Sequence, residues 1–210
     1  MAGDTRPYHH GDLRAALIEA GLQLARQQGV GALGMRELTR AVGVTPNAAY
    51  RHFANLRAFV LTVALEAQHR LARTILDRIQ AIAIDADPAV RAVERLRAFG
   101  LGYIHFALAD PGWFELACVS QEEPPDSGPR GGAETTVPPP HQLLLEALDE
   151  MVHAGALPAH RRANAEWACW ATVHGFANLA TSGPLQGMDR DALDRLAEQA
   201  MDTLVNGLTA

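Results

Sequence analysis

The chain has 210 residues, 48% hydrophobic and 20% charged, the balance of a protein that buries a core and not of a disordered or fibrous one. No apolar run approaches the roughly 18 residues needed to cross a bilayer, the opening MAGDTRPYHHGD lacks the apolar stretch of a secretory signal, and two cysteines, Cys118 and Cys169, are too few for a disulfide framework, so a cytoplasmic protein is expected. The net charge of -6 divides unevenly: residues 1–60 carry seven arginines against four carboxylates, residues 61–210 eleven against twenty, and lysine is absent. A basic head on an acidic body is the asymmetry expected where only the head meets phosphate.

Apolar spacing is helical wherever it is regular, and no stretch alternates long enough for a strand, so an all-α fold is expected. The first helix is predicted over 12–28, capped by Asp12, with Leu13, Leu17, Ala20 and Leu24 as its apolar stripe and Gly29 as its left-handed stop. A second, over 36–42, turns Leu38, Ala41 and Val42 inward. Gly43 permits a sharp turn, Thr45 caps a third helix and Pro46 opens it. A long helix over 56–82 links head to body. Helices over 88–109 and 111–119 follow. Residues 121–140, with six of the twelve prolines, carry too little apolar area to offset the entropy of ordering and read as a mobile surface loop. Helices over 141–154, 161–181 and 189–207 complete the chain. The division is a head, 1–56, and a body, 57–210.

The head carries the chemistry. Two short helices about the turn at Gly43-Val44 make a helix-turn-helix. In the second of them Ala49 and Phe53 face inward, while Asn47, Tyr50 and Arg51, at i, i+3 and i+4, share an outward face. Arg51 can pair with both acceptors of a guanine edge, and Asn47 can bond a base edge or a phosphate. Tyr50, His52 and Thr45 can donate to phosphate oxygens, Arg36 and Arg57 can approach the backbone, and the segment holding Arg6, Tyr8, His9 and His10 can reach the backbone or the adjoining minor groove.

These residues also carry a resemblance. Residues 11–60, above all LTRAVGVTPNAAYRHF at 38–53, resemble the DNA-binding domain of TetR-family regulators, and YHHGDLRAALI at 8–18 resembles a common start of that family. The resemblance implies DNA contacts from Thr45, Pro46, Asn47, Tyr50, Arg51 and His52, with Ala49 and Phe53 structural, and a homodimer on a palindromic operator. One position departs: the family has a lysine three residues after the phenylalanine, and here Leu56 stands there, followed by Arg57. WATVHGF at 170–176 resembles a C-terminal subclass marked by Trp-x-x-x-His-Gly.

In the body, the 161–181 helix is apolar nearly all round, Trp167, Trp170, Ala171, His174, Asn178 and Thr181 on one side and Cys169, Val173, Phe176 and Ala180 on the other. A helix buried on two sides needs two partners, and with the Leu193, Leu196, Ala200, Leu204 and Leu208 stripe of the last helix it suits a four-helix dimer interface. Phe99, Tyr103, Phe106, Trp113, Phe114, Trp170 and His174 are the candidate lining of a small-molecule cavity, since such sites are mainly apolar with a few hydrogen-bonding groups. The expectation is a repressor released from its operator by a small apolar or aromatic ligand. The alternatives are a dimeric regulator without an effector and, more remotely, a metal- or His-dependent enzyme. The last lacks HExxH, GxSxG and a Gly-rich phosphate loop, and Cys169 and His174 stand too far round a helix for a ligand pair. No cofactor, metal or membrane contact is expected.

Overall fold

The computed structural model describes residues 13–83, 87–119 and 139–210, and among them all regular structure is helical. The head is built from α1 (Leu13–Gln28), α2 (Met35–Val42) and α3 (Pro46–Tyr50), and α4 (Leu56–Gln80) leads out of it. The body follows as α5 (Pro88–Ala109), α6 (Pro111–Val119), α7 (Pro140–His153), α8 (Ala165–Thr181) and α9 (Arg190–Thr209). None of these helices is long and apolar enough to cross a membrane.

The helix starts follow from local side-chain chemistry. Asn55 Oδ1 accepts the Ala58 N–H at 2.8 Å to open α4, Asp87 accepts from Ala89 and Val90 ahead of Pro88, and Asp189 accepts from Ala192 at 3.3 Å to open α9. One boundary differs from its periodicity. The chain makes a short 3-10 turn at Ala159–Arg161 and then holds Asn164 at φ 64°, left-handed backbone that a helix cannot include, so α8 begins at Ala165 and not at 161. Pro140, expected as loop, opens α7 and is buried. The rest of the expected loop, residues 121–138, and the segment holding Arg6, Tyr8, His9, His10 and Asp12 lie outside the described residues.

Two buried clusters form the interior. The head cluster gathers Leu17, Leu22 and Ala25 of α1, Leu38 of α2 and Ala49 of α3, but also Phe59 to Ala67 of α4 and Leu116 and Ala117 of α6. In α1 the buried face is rotated from the predicted stripe: Leu17, Gly21, Leu22 and Ala25 are buried, while Leu13, Ala20 and Leu24 pack at the margin. In α2 Ala41 is exposed and Thr39 is buried instead, its hydroxyl donating to the Met35 carbonyl at 2.8 Å and so needing no water. The body cluster is centred on α5, with Leu96, Phe99, Tyr103 and Ile104 enclosed by α4, α7, α8 and α9.

Helix α4 serves both clusters, Phe59 to Ala67 in the head and Leu71 to Ile75 in the body. At 1.5 Å per residue it is on the order of 40 Å long. Helix α6 is the second tie. Its Gly112 lies so close to α1 that a Cβ there would stand 2.2 Å from the Ala25 carbonyl oxygen. Beside it the Trp113 indole N–H donates to the Leu22 carbonyl at 2.8 Å, and the Arg26 and Arg70 guanidinium carbons sit 5.2 and 4.6 Å from the Trp113 ring centre. Arg70 also reaches Glu19 of α1 at 2.6 Å.

Candidate functional site

The turn between α2 and α3 is made by Gly43, at φ 76° and ψ 30°, where a Cβ would be strained. Its N–H donates to the Arg40 carbonyl, and the Val44 N–H to the Thr39 carbonyl at 2.9 Å, which closes the end of α2. Thr45 then caps α3: its backbone is extended, and Oγ1 accepts the Ala48 N–H at 3.4 Å, leaving the hydroxyl hydrogen free to donate outward.

Helix α3 is held by its inner side. Ala49 is fully buried, the Phe53 ring meets Phe59 edge-on at 5.0 Å, and the Arg14 guanidinium lies over the Phe53 ring at 5.4 Å. The helix is five residues long, shorter than the two turns expected. Arg51 is its C-cap, and the chain then bends so that Phe53 can reach the core before Asn55 starts α4.

The outer side is open. Asn47, Tyr50 (48% exposed), Arg51 and His52 all face solvent together with Thr45 and Pro46. Arg36, on the first turn of α2, and Arg57, on the first turn of α4, are exposed as well, and Leu56 is 38% exposed. Eight of the residues read from the sequence as DNA contacts therefore lie on the surface, the two read as structural are buried, and Arg6, Tyr8, His9 and His10 lie outside the described residues.

The seven aromatic residues expected around a ligand adjoin one body cluster but divide into two sets by their ring contacts. Five close on one another: the Tyr103 hydroxyl and His174 Nδ1 share a hydrogen bond at 2.8 Å, Trp170 stacks on His174 at 6.3 Å, and Phe99 and Phe114 pack on Tyr103. Burial raises the Tyr103 phenol and lowers the His174 imidazole from their ordinary values, so both are neutral at pH 7. His141 of α7, which sequence reading passed over, adds its ring 5.9 Å from Trp170. The other two, Phe106 and Trp113, lie 6.5 Å apart in a tilted pair and line a cleft at the head–body junction. Buried Cys169 has its thiol pushed up to about 12 by burial, the setting of an inert structural cysteine.

A capped helix pair with a polar outward face, tied by one long helix to a helical body, defines the class of helix-turn-helix regulators. Residues 17–63 match the family model described as bacterial regulatory proteins, tetR family, and residues 96–204 match the tetracyclin repressor-like C-terminal domain. The chain belongs to the tetR family of bacterial regulatory proteins, transcriptional regulators and not enzymes. The finer resemblance of Trp170 to Gly175 to the Trp-x-x-x-His-Gly subclass is not supported by that C-terminal match.

Among solved structures, one of a protein of unknown function from Rhodococcus sp. RHA1 is 26% identical, covers 98% of this chain and 100% of its own, and superposes with a TM-score of 0.75. A TetR variant from Acinetobacter baumannii AYE in complex with minocycline is 18% identical over 92% of this chain and 94% of its own, TM-score 0.57. FadR from Bacillus subtilis in complex with stearoyl-CoA is 17% identical over 92% and 98%, TM-score 0.54. No curated protein matches significantly.

Proposed function

We propose that two copies of this chain bind a palindromic operator as a repressor and leave it when a small molecule binds the body. The observation that carries this reading is the outward set Asn47, Tyr50 and Arg51, standing over inward Ala49 and Phe53. Arg51 reads a guanine edge; Tyr50, His52, Thr45, Arg36 and Arg57 grip phosphate.

A single five-residue reading helix contacts few bases, so two heads on half-sites one helical turn apart supply the specificity. The surface for pairing is on α8 and α9. Trp167 is 60% and Leu179 45% exposed on α8, and Gly175 and Gly207 each have open space where a side chain would be. Leu196, Ala200 and Leu204 of α9 are only partly covered by the body core. Closing such faces between copies is the ordinary route to a helical dimer. The effector acts through α4, whose two halves belong to the two cores: a ligand shifts the equilibrium only as far as it prefers the body arrangement that misplaces the heads. Minocycline and stearoyl-CoA in two proteins of this fold support a ligand-responsive body.

The test is selection of bound fragments from genomic DNA by the full chain, followed by titration of the selected site. Arg51→Ala is expected to weaken binding by about 1–3 kcal/mol and to relax preference at one base pair per half-site. Tyr50→Phe weakens binding to all sequences alike. Unchanged affinity and unchanged selection in both variants would place the contact face elsewhere.

A further inference from the structure

The junction where Trp113 meets Arg26 and Arg70 opens into a cleft of about 480 Å³, within the size range of small-molecule sites. Its floor is apolar, made by Phe106 and Trp113. One wall is α4, where Arg70, Arg73, Asp77 and Arg78 recur at helical spacing; α5 and the first residue of α9, Arg190, close the far side.

The charges are unevenly matched. Arg70 is paired with Glu19 and Glu66, and Arg190 with Asp194 at 2.9 Å. Asp110 sits 2.5 Å from Arg26. Arg73, exposed, has no ion pair among the described residues. Arg78, partly buried, has no ion pair among the described residues and donates from Nη2 to Nδ1 of His105. Since an arginine only donates, Nδ1 is the acceptor and the ring proton is on Nε2. That nitrogen faces Asp194 Oδ1 at 3.1 Å. Burial, with Arg78 and Arg190 nearby, holds His105 below its ordinary pKa against the opposing pull of Asp194. Arg78 is thus a cation opposite a neutral ring. Among the described residues these two guanidinium groups have no carboxylate partner; they stand over an apolar floor, and Asp77, which also lines the cleft, is exposed to solvent.

The geometry points to this cleft as the binding site of an organic anion, a carboxylate or phosphate carried on a planar apolar body. Arg73 and Arg78 hold the charged group and the Phe106–Trp113 pair takes the planar body. This deepens the proposed regulator reading by naming where its effector binds and what chemistry it has. The site is wired to the head. Arg70, over Trp113, ties the cleft to α1 through Glu19, Asp110 does so through Arg26, and Trp113 is hydrogen-bonded to Leu22 of α1. An anion that draws Arg70 or Trp113 toward itself loosens the contacts that fix the head on the body.

The full-length protein is titrated with naphthoate, with the neutral naphthamide and with inorganic phosphate, by calorimetry and by tryptophan fluorescence. Naphthoate is expected to saturate at about 1 mM or below, with affinity that falls as salt rises. Naphthamide and phosphate each bind at least about tenfold more weakly, since each lacks one half of the recognition. Arg73→Gln and Arg78→Gln each reduce naphthoate affinity by about tenfold, and Arg73, being exposed and without an ion pair among the described residues, can be changed without loss of fold. Tyr103→Phe, in the closed aromatic group, leaves naphthoate binding unchanged. Equal binding of the amide, no saturation by naphthoate, or indifference to both arginine changes overturns the proposal. Selection of an operator is measured separately on the same protein: failure there sinks the regulator reading, whereas an operator bound normally with no naphthoate site sinks this inference alone.

Discussion

Gly112 is the position where a single methyl group tests how the head is set on the body. A Cβ there would lie 2.2 Å from the Ala25 carbonyl oxygen, 2.9 Å from the Ala25 carbonyl carbon and 3.1 Å from the Arg26 Cα. These are backbone atoms of α1, and the Ala25 oxygen is already committed to the Gly29 N–H at 2.9 Å, so no side chain can swing aside. Ordinary contact requires α1 and α6 to part by about 1 Å, and packed interiors resist such overpacking at a cost of about 1–3 kcal/mol. The Trp113–Leu22 hydrogen bond and the Arg26–Asp110 pair span the same seam and stretch with it. Gly112→Ala is therefore expected to lower the melting temperature by about 2–4 °C per kcal/mol in a chain of this size. It should also weaken operator binding, because the heads are re-angled while their reading surface is intact. Gly31→Ala, where nothing lies within 4 Å of the added Cβ, is the matched control. A Gly112→Ala protein that melts and binds its operator as the control does would refute the claim that α1 and α6 fix the head.

Three further outcomes follow from the same contacts. Asn55→Ala removes the side-chain acceptor at the start of α4 and is expected to cost about 0.5–2 kcal/mol in denaturant melts, whereas Asn55→Asp keeps it. Tyr103→Phe deprives His174 Nδ1 of its partner and is expected to cost about 1–3 kcal/mol; an unchanged midpoint would mean that water replaces the hydroxyl without penalty. Stability depends on pH in two separate windows. His105 and His174 are both held below the ordinary value of 6.5, chiefly by burial, so the unfolded chain binds protons more readily and stability falls as pH drops through 6.5 toward their folded values. Glu19 is held below 4.5 by its hydrogen bond from Gln23 and by Arg70, so its contribution persists until pH falls below 4.5. Melts of a double His105→Gln, His174→Gln protein are expected to lose the first window and keep the second; retention of the upper slope would assign it to other groups.

Much of the head was legible in the chain. Its architecture follows from short-range rules: Gly43 because only a residue without Cβ takes that turn cheaply, Thr45 and Pro46 because a helix start needs an acceptor and tolerates a missing donor, and Ala49 and Phe53 because a four-residue spacing puts both on one face. The same rules placed Asn47, Tyr50 and Arg51 outward, and the all-helical body with its long connecting α4. They failed where the number of turns depended on tertiary anchoring, as in α3, which stops at Tyr50 so that Phe53 can meet Phe59. They also failed where a face is chosen by what packs on it: Ala41 is apolar yet exposed, and Thr39 is polar yet buried with its hydroxyl satisfied by the Met35 carbonyl.

The aromatic residues of the body show the limit most plainly. From the sequence Phe99, Tyr103, Phe106, Trp113, Phe114, Trp170 and His174 are seven rings at helical spacing and nothing separates them. Folding sends five into a closed group around Tyr103 and leaves Phe106 and Trp113 at the head–body seam, beside arginines of α1 and α4 far away in the chain. Periodicity states which residues share a face of one helix; it carries no information on which helix crosses that face or at what depth. Those crossings, set by where Gly112 lets α6 approach α1 and by how α4 divides between two cores, belong to the packed molecule alone.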